Sequence, residues 1–243
     1  MYRNYIKDEE LIRKLEILHE KKYRLLELIK NNPVSPFVVE LAGMARTGKT
    51  VSTEKVFEFF KMANFSIMRT KEPAQIVKEK YDITNFTNVE FNDKTLEISK
   101  EQLEKCLLKK PHIIIEDRGV FDNYIWYQMM YERGEIGLET YNKKMSDVND
   151  TLNMIDQLYF MTAEPSIIVK RDYQDQIFLE PRKKTTVEGV TMLKNGMEHL
   201  KDKINNDTII DLDTSNISEI ETSIIISNGI IDGMTKKYEL KKM

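Results

Sequence analysis

Gly43-Met44-Ala45-Arg46-Thr47-Gly48-Lys49-Thr50 fits the pattern G-x-x-x-x-G-K-[ST], and this octet limits the fold of the chain more than any other stretch. It stands between a β-branched run, Phe37-Val38-Val39-Glu40-Leu41, and a helical pattern over Thr50 to Met62. Two glycines let backbone N–H groups curl around a phosphate, and the helix behind them points its positive end at the same place. Lys49 can reach β- and γ-phosphates, and the Thr50 hydroxyl can ligate Mg²⁺. An ordinary glycine turn would leave Lys49-Thr50 unexplained.

The remaining pattern is regular. Phe65 to Thr70, His112 to Ile115, Leu158 to Met161 and Thr208 to Leu212 read as further strands. Helical periodicity covers Lys94 to Lys109, Val120 to Arg133 and Leu138 to Met154; further helices start at Pro165, end at Lys203 and start at Ile217. The stretch between Glu72 and Lys94 is polar and irregular, and Asp172 to Thr185 is a charged connection. Strands alternating with helices imply one doubly wound α/β domain, a five-stranded parallel sheet covered on both faces. Residues 36–243 form that domain, and residues 1–35 are a helical extension.

In the extension, Leu11, Leu15, Leu18, Leu25 and Ile29 make an apolar seam with Lys22 inside it. Such a helix either holds a homodimer together as a short coiled coil or folds back on its own domain. The lysine favours folding back.

Composition narrows the partners. Among 243 residues, 37 Lys and Arg face 40 Asp and Glu, for a net charge of −3. This near balance disfavours nucleic acid and anionic membranes as main partners. A single cysteine, Cys106, forbids an internal disulfide or a cysteine-based zinc site. No stretch has the apolar length of a membrane span, so a soluble, cytoplasmic protein is expected.

The third strand runs into Glu116-Asp117-Arg118, where carboxylates lie beside the phosphate loop and suit a nucleotide-bound metal. Arg118 adds a fork-shaped donor. Glu72, before Pro73, is a candidate general base for a hydroxyl acceptor. Arg171, Arg182, Lys183 and Lys184 form a basic segment able to close over a nucleotide. Tyr124, Trp126, Tyr127 and Tyr131 either line an acceptor pocket or belong to the core, and their helical spacing favours the core. His19, His112 and His199 show no metal-ligand spacing.

In combination these motifs resemble the P-loop nucleoside and nucleotide kinases, specifically thymidylate kinases and deoxynucleoside kinases, over about residues 37 to 231. Gly43 to Thr50 matches their phosphate loop, with Arg46 at a loop arginine of thymidylate kinases. Lys71-Glu72-Pro73 is similar to the Glu-Pro turn that carries the base of deoxynucleoside kinases. Asp117-Arg118-Gly119 is similar to their Asp-Arg-Tyr and Glu-Arg-Ser, and Arg171 falls at the lid arginine. The chain departs from the pattern at Ala45, where an acid is usual, and at Gly119. The arginine-bearing substrate helix is absent between Glu72 and His112.

The resemblance implies transfer of the ATP γ-phosphoryl group to a small nucleoside or nucleoside monophosphate. Catalysis would fall to Lys49, Arg46, Glu72, Asp117, Arg118 and Arg171. ATP would contact Gly43, Met44, Ala45, Arg46, Thr47, Gly48, Lys49, Thr50, Arg171 and Arg182. Mg²⁺ would be held by Thr50, Asp117 and Glu116. The alternatives are a P-loop ATPase acting as a switch or assembly protein, with the N-terminal helix as its arm, and a kinase of polynucleotide ends.

Overall fold

The computed structural model describes residues 9–30, 32, 35–81, 89–175, 186–201 and 208–240. Five strands, β1 (Phe37–Gly43), β2 (Ile67–Arg69), β3 (Ile113–Asp117), β4 (Gln157–Thr162) and β5 (Ile209–Asp213), form one parallel sheet in the order β2-β3-β1-β4-β5. β1 lies at the centre. Every residue of β1 and β3 is buried, which is why both read as near-continuous apolar runs. From β1 the chain first fills one half of the sheet and then crosses to the other. That reversal opens a crevice at the carboxyl end of β1.

Nine helices are described: α1 (Glu9–Lys30), α2 (Lys49–Met62), α3 (Pro73–Tyr81), α4 (Val89–Leu108), α5 (Val120–Glu132), α6 (Leu138–Leu152), α7 (Pro165–Asp175), α8 (Val187–Lys201) and α9 (Glu219–Leu240). One face of the sheet carries α1, α2 and α9, with Val39, Leu41, Ile113 and Ile115 pointing toward them. The opposite face carries α4, α5, α6 and α8 over Val38, Ala42 and Ile114. Side chains alternate between faces along a strand, so neighbours in sequence serve opposite layers.

α1 packs on α9, and its Leu18, Leu25 and Ile29 join the apolar layer that holds β1 and α2. Lys22 is accommodated by keeping its head polar: Nζ lies 3.1 Å from His19 Nδ1 and 4.2 Å from the centre of the Tyr23 ring.

Between Glu72 and Lys94 the structure corrects the sequence reading. The irregular stretch contains α3, and α4 begins at Val89. α3 escapes detection because only Pro73 and Val77 are buried along its nine residues, too few for a periodic signal. β2 is shorter than Phe65 to Thr70, because only Ile67 to Arg69 pair with β3.

Candidate active site

The phosphate loop leaves β1 with its backbone tightly constrained. Gly43 has φ +111°, and a Cβ there would lie 2.3 Å from the carbonyl oxygen of Met161 on the neighbouring strand. No other residue fits. Gly48, at φ +87°, caps α2 without a side-chain hydrogen bond, so the first N–H groups of the helix face the loop. Arg46 is also left-handed, at φ +60°.

Lys49 is buried and folds back over its own loop, donating to the carbonyls of Gly43 (3.1 Å) and Met44. Burial, then the charge of Arg118, lower its pKa to about 7, against the pull of Asp122, Asp117 and Glu72. Thr47 donates to Met44 O at 2.9 Å and braces the loop. Thr50 is exposed in the first turn of α2.

Arg118 has φ +57° and projects across the crevice. Its guanidinium donates to Gly43 O at 3.1 Å and pairs with Glu72 Oε1 at 3.1 Å and with Asp122. Burial opposes its charge, but Asp122 and Glu72 outweigh burial and raise its pKa. The structure thus joins the phosphate loop, the Glu72-Pro73 turn and the end of β3 through one side chain.

Asp117 extends from β3 on the α2 side of the sheet, and its Oδ1 is buried without a hydrogen-bond partner. An orphaned carboxylate oxygen on the same side of the sheet as a serviceable threonine hydroxyl fits a magnesium–nucleotide, so Thr50 and Asp117 could hold the ion. Glu116, expected beside Thr50 and Asp117 at the metal, faces away from them. It is 1% exposed and projects to the other face, toward Glu40, its neighbour in register on β1. The two-residue alternation of the strand turns it away from Thr50.

α7 reaches the loop from the far half of the sheet. Arg171 donates to Arg46 O at 3.1 Å and to Thr214 O at 2.7 Å, while Arg46 pairs with Asp172 at 2.8 Å. Arg182, Lys183 and Lys184 lie outside the described residues.

A cavity opens beside Arg118 and is bounded by Pro73, Phe91, Asn92, Asn123 and Trp126. Of Tyr124, Trp126, Tyr127 and Tyr131 on α5, Trp126 lines it. Tyr124 and Tyr127 are core, and Tyr131 stacks on Tyr141 with ring centres 4.4 Å apart. Val120-Phe121-Asp122-Asn123-Tyr124 continues the likeness that begins at Asp117, but sequence reading gives no role to Asp122 or Asn123 and none to Asn92 or Asp172. It also passes over Glu40, although an acid inside an apolar strand is a local signal.

The sheet order, with a phosphate loop at its switch point, defines the P-loop kinase type of α/β fold. Among solved structures, the deoxyadenosine kinase from M. mycoides, with products dCMP and a flexible dCDP bound, matches with a TM-score of 0.56 at 15% identity. The match covers 80% of this chain and 98% of that one, and it shows that the two share a fold. No protein-family model and no curated protein matches the sequence. Among the described residues, no helix is long and apolar enough to cross a membrane.

Proposed function

We infer that the protein transfers the γ-phosphoryl group of ATP to the hydroxyl of a nucleoside. The observation that carries this reading is the balance of charge at the cavity. Arg118 is the single cation among the described residues that line it, and Glu72 and Asp122 already pair with it. A monophosphate acceptor brings charge that needs an unspent cation. A neutral hydroxyl does not.

In this reading the hydroxyl oxygen attacks the γ-phosphorus and its proton passes to Glu72. The bond from phosphorus to the bridging oxygen breaks, and ADP leaves. Lys49, Arg46, Arg118 and Arg171 stabilise the charge of the transferring group. Thr50 and Asp117 would hold Mg²⁺, which when bound offsets charge on the phosphate oxygens. The fold shared with the deoxyadenosine kinase supports the choice of acceptor class. The packing of α1 against α9 takes away the projecting arm on which a switch or assembly protein would depend.

The test is ADP release from Mg·ATP across nucleosides and nucleoside monophosphates, with Lys49→Ala as the blank. Nucleosides should stimulate release and monophosphates should not. Glu72→Gln should lower kcat by about 10²- to 10⁴-fold. Slow release indifferent to every acceptor would overturn the reading in favour of a P-loop ATPase.

A further inference from the structure

We propose that Glu40, buried in the middle of β1, is the residue that positions Arg118. The proposal rests on the kinase reading for its effect on turnover, but its geometric part stands independently. Glu40 has no exposed surface. Its Oε1 accepts the backbone N–H of Gly119 at 2.8 Å and of Phe121 at 3.1 Å, across 79 and 81 residues of sequence. Gly119 is the N-cap of α5 and supplies no side-chain cap of its own. Glu40 therefore does from the neighbouring strand what a Ser or Asp at the N-cap does from within a helix.

The consequence falls on the residue just before. Arg118 is left-handed, a conformation that residues with a Cβ avoid unless their surroundings impose it. It is gripped on both sides. Its own N–H donates to Leu41 O at 3.0 Å, and the next residue is held by Glu40. With both ends of the turn fixed to β1, the guanidinium projects toward Gly43 O, Glu72 and Asp122. Without Glu40 the C-terminal grip is gone, and the turn can relax to right-handed backbone with Arg118 drawn out of the crevice.

Gly119 fits this assignment. A Cβ there would come within 2.9 Å of the Glu40 carboxyl and 3.0 Å of Glu116 Oε2. The space that a capping side chain at position 119 would use is filled by the carboxyls that replace it. A serine at 119 could accept the N–H of Phe121 as an N-cap does, but not its own N–H, which only Glu40 reaches. An alanine at 40 with glycine at 119 leaves both N–H groups bare.

The experiment compares Glu40→Gln, Glu40→Ala and the double variant Glu40→Ala/Gly119→Ser. The first reading is the ¹⁵N resonance of the Arg118 Nε–H, assigned with Arg118→Lys. The second is kcat and the KM for ATP. Glu40→Gln keeps an acceptor oxygen and should keep the resonance in place. Glu40→Ala should merge it with those of solvent-exposed arginines. It should also lower kcat about tenfold or more, toward the ~10²-fold that a 1 Å misplacement costs, with KM unchanged. The serine double variant recovers only the bond from the Phe121 N–H and should restore both resonance and kcat in part. In an Arg118→Ala background, Glu40→Ala should cost nothing further, because the two residues act as one unit.

An unmoved resonance in Glu40→Ala overturns the proposal, as does a kcat loss that persists in full without Arg118. If Glu40→Ala does not fold, the double variant decides: an Arg118 resonance distinct from those of solvent-exposed arginines supports the proposal, and its merging with them or an unfolded chain overturns it. If the wild-type protein shows no acceptor-dependent turnover, the kinase reading fails and the resonance still decides what Glu40 does.

Discussion

Glu116 keeps both carboxyl oxygens buried with no hydrogen-bond partner, on the strand next to an equally buried Glu40. Two carboxylates cannot both ionise there. Burial pushes the Glu116 carboxyl up to about 8, and burial together with Glu116 and Asp122 raises Glu40 as well. Glu40 has two N–H donors to hold a negative charge and Glu116 has none, so the proton belongs on Glu116. A carboxyl raised in the folded state binds a proton that the unfolded chain has already lost. Its stabilisation is complete below the ordinary value of 4.5 and disappears as pH rises through about 8. Glu116→Gln removes that dependence, and its amide can donate to Glu40. The variant should match the wild type near pH 5 and be more stable near pH 8, by on the order of a few kcal/mol or several degrees in Tm. Thermal melts of both proteins from pH 5 to 8.5 measure this, and parallel curves would refute it.

At the scale of elements, what was legible follows from where each signal resides. The phosphate loop could be read because its chemistry lies in eight consecutive residues, and β3 because a strand covered on both faces is apolar throughout. α3 could not, since its burial rests on a proline and a single valine. Glu116 and Asp117 are neighbours in sequence, and the two-residue alternation of β3 puts them on opposite faces of the sheet. Arg118 could be picked out, but Asp122, Asn123 and the grip of Glu40 are long-range or one-turn relations that only the fold creates. The fate of α1 hung on one lysine. The structure spends its seam on α9 and on the layer beneath β1, so α1 should behave as core. Leu25, 1% exposed, should cost about 2–5 kcal/mol when changed to alanine. Tyr23, 63% exposed on the same helix, should cost less than about 0.5 kcal/mol. Urea unfolding should show a single transition for Leu25→Ala with its midpoint lowered. A separate early transition, with the main one unmoved, would mean that α1 melts on its own.

Over the whole molecule, groups from both halves of the sheet meet at the phosphate loop. Asp117 and Arg118 arrive from β3, and Arg171 and Asp172 from α7, where Arg171 is also bound to Thr214 beyond β5. Lys49 bears the cost of this convergence. Its pKa of about 7 lies far below the ordinary 10.5, so the unfolded chain binds this proton more tightly than the folded one. The protein alone therefore gains stability from this group as pH rises from 7 toward 10.5. A bound phosphate reverses the balance by placing negative charge beside the ammonium, and the proton returns. Nucleotide binding at pH 8 should then take up about one proton per site, and the Kd for ATP should weaken about tenfold per pH unit above 7. Titration calorimetry of ATP in two buffers of different ionisation enthalpy reads the proton directly. Lys49→Arg, charged at every pH, should take up none if it binds at all. Binding by the wild type with no proton uptake at pH 8 would mean that Lys49 is already charged in the free protein. In that case the carboxylates of Asp122, Asp117 and Glu72 outweigh its burial, and the crevice presents a ready-made cation to the nucleotide.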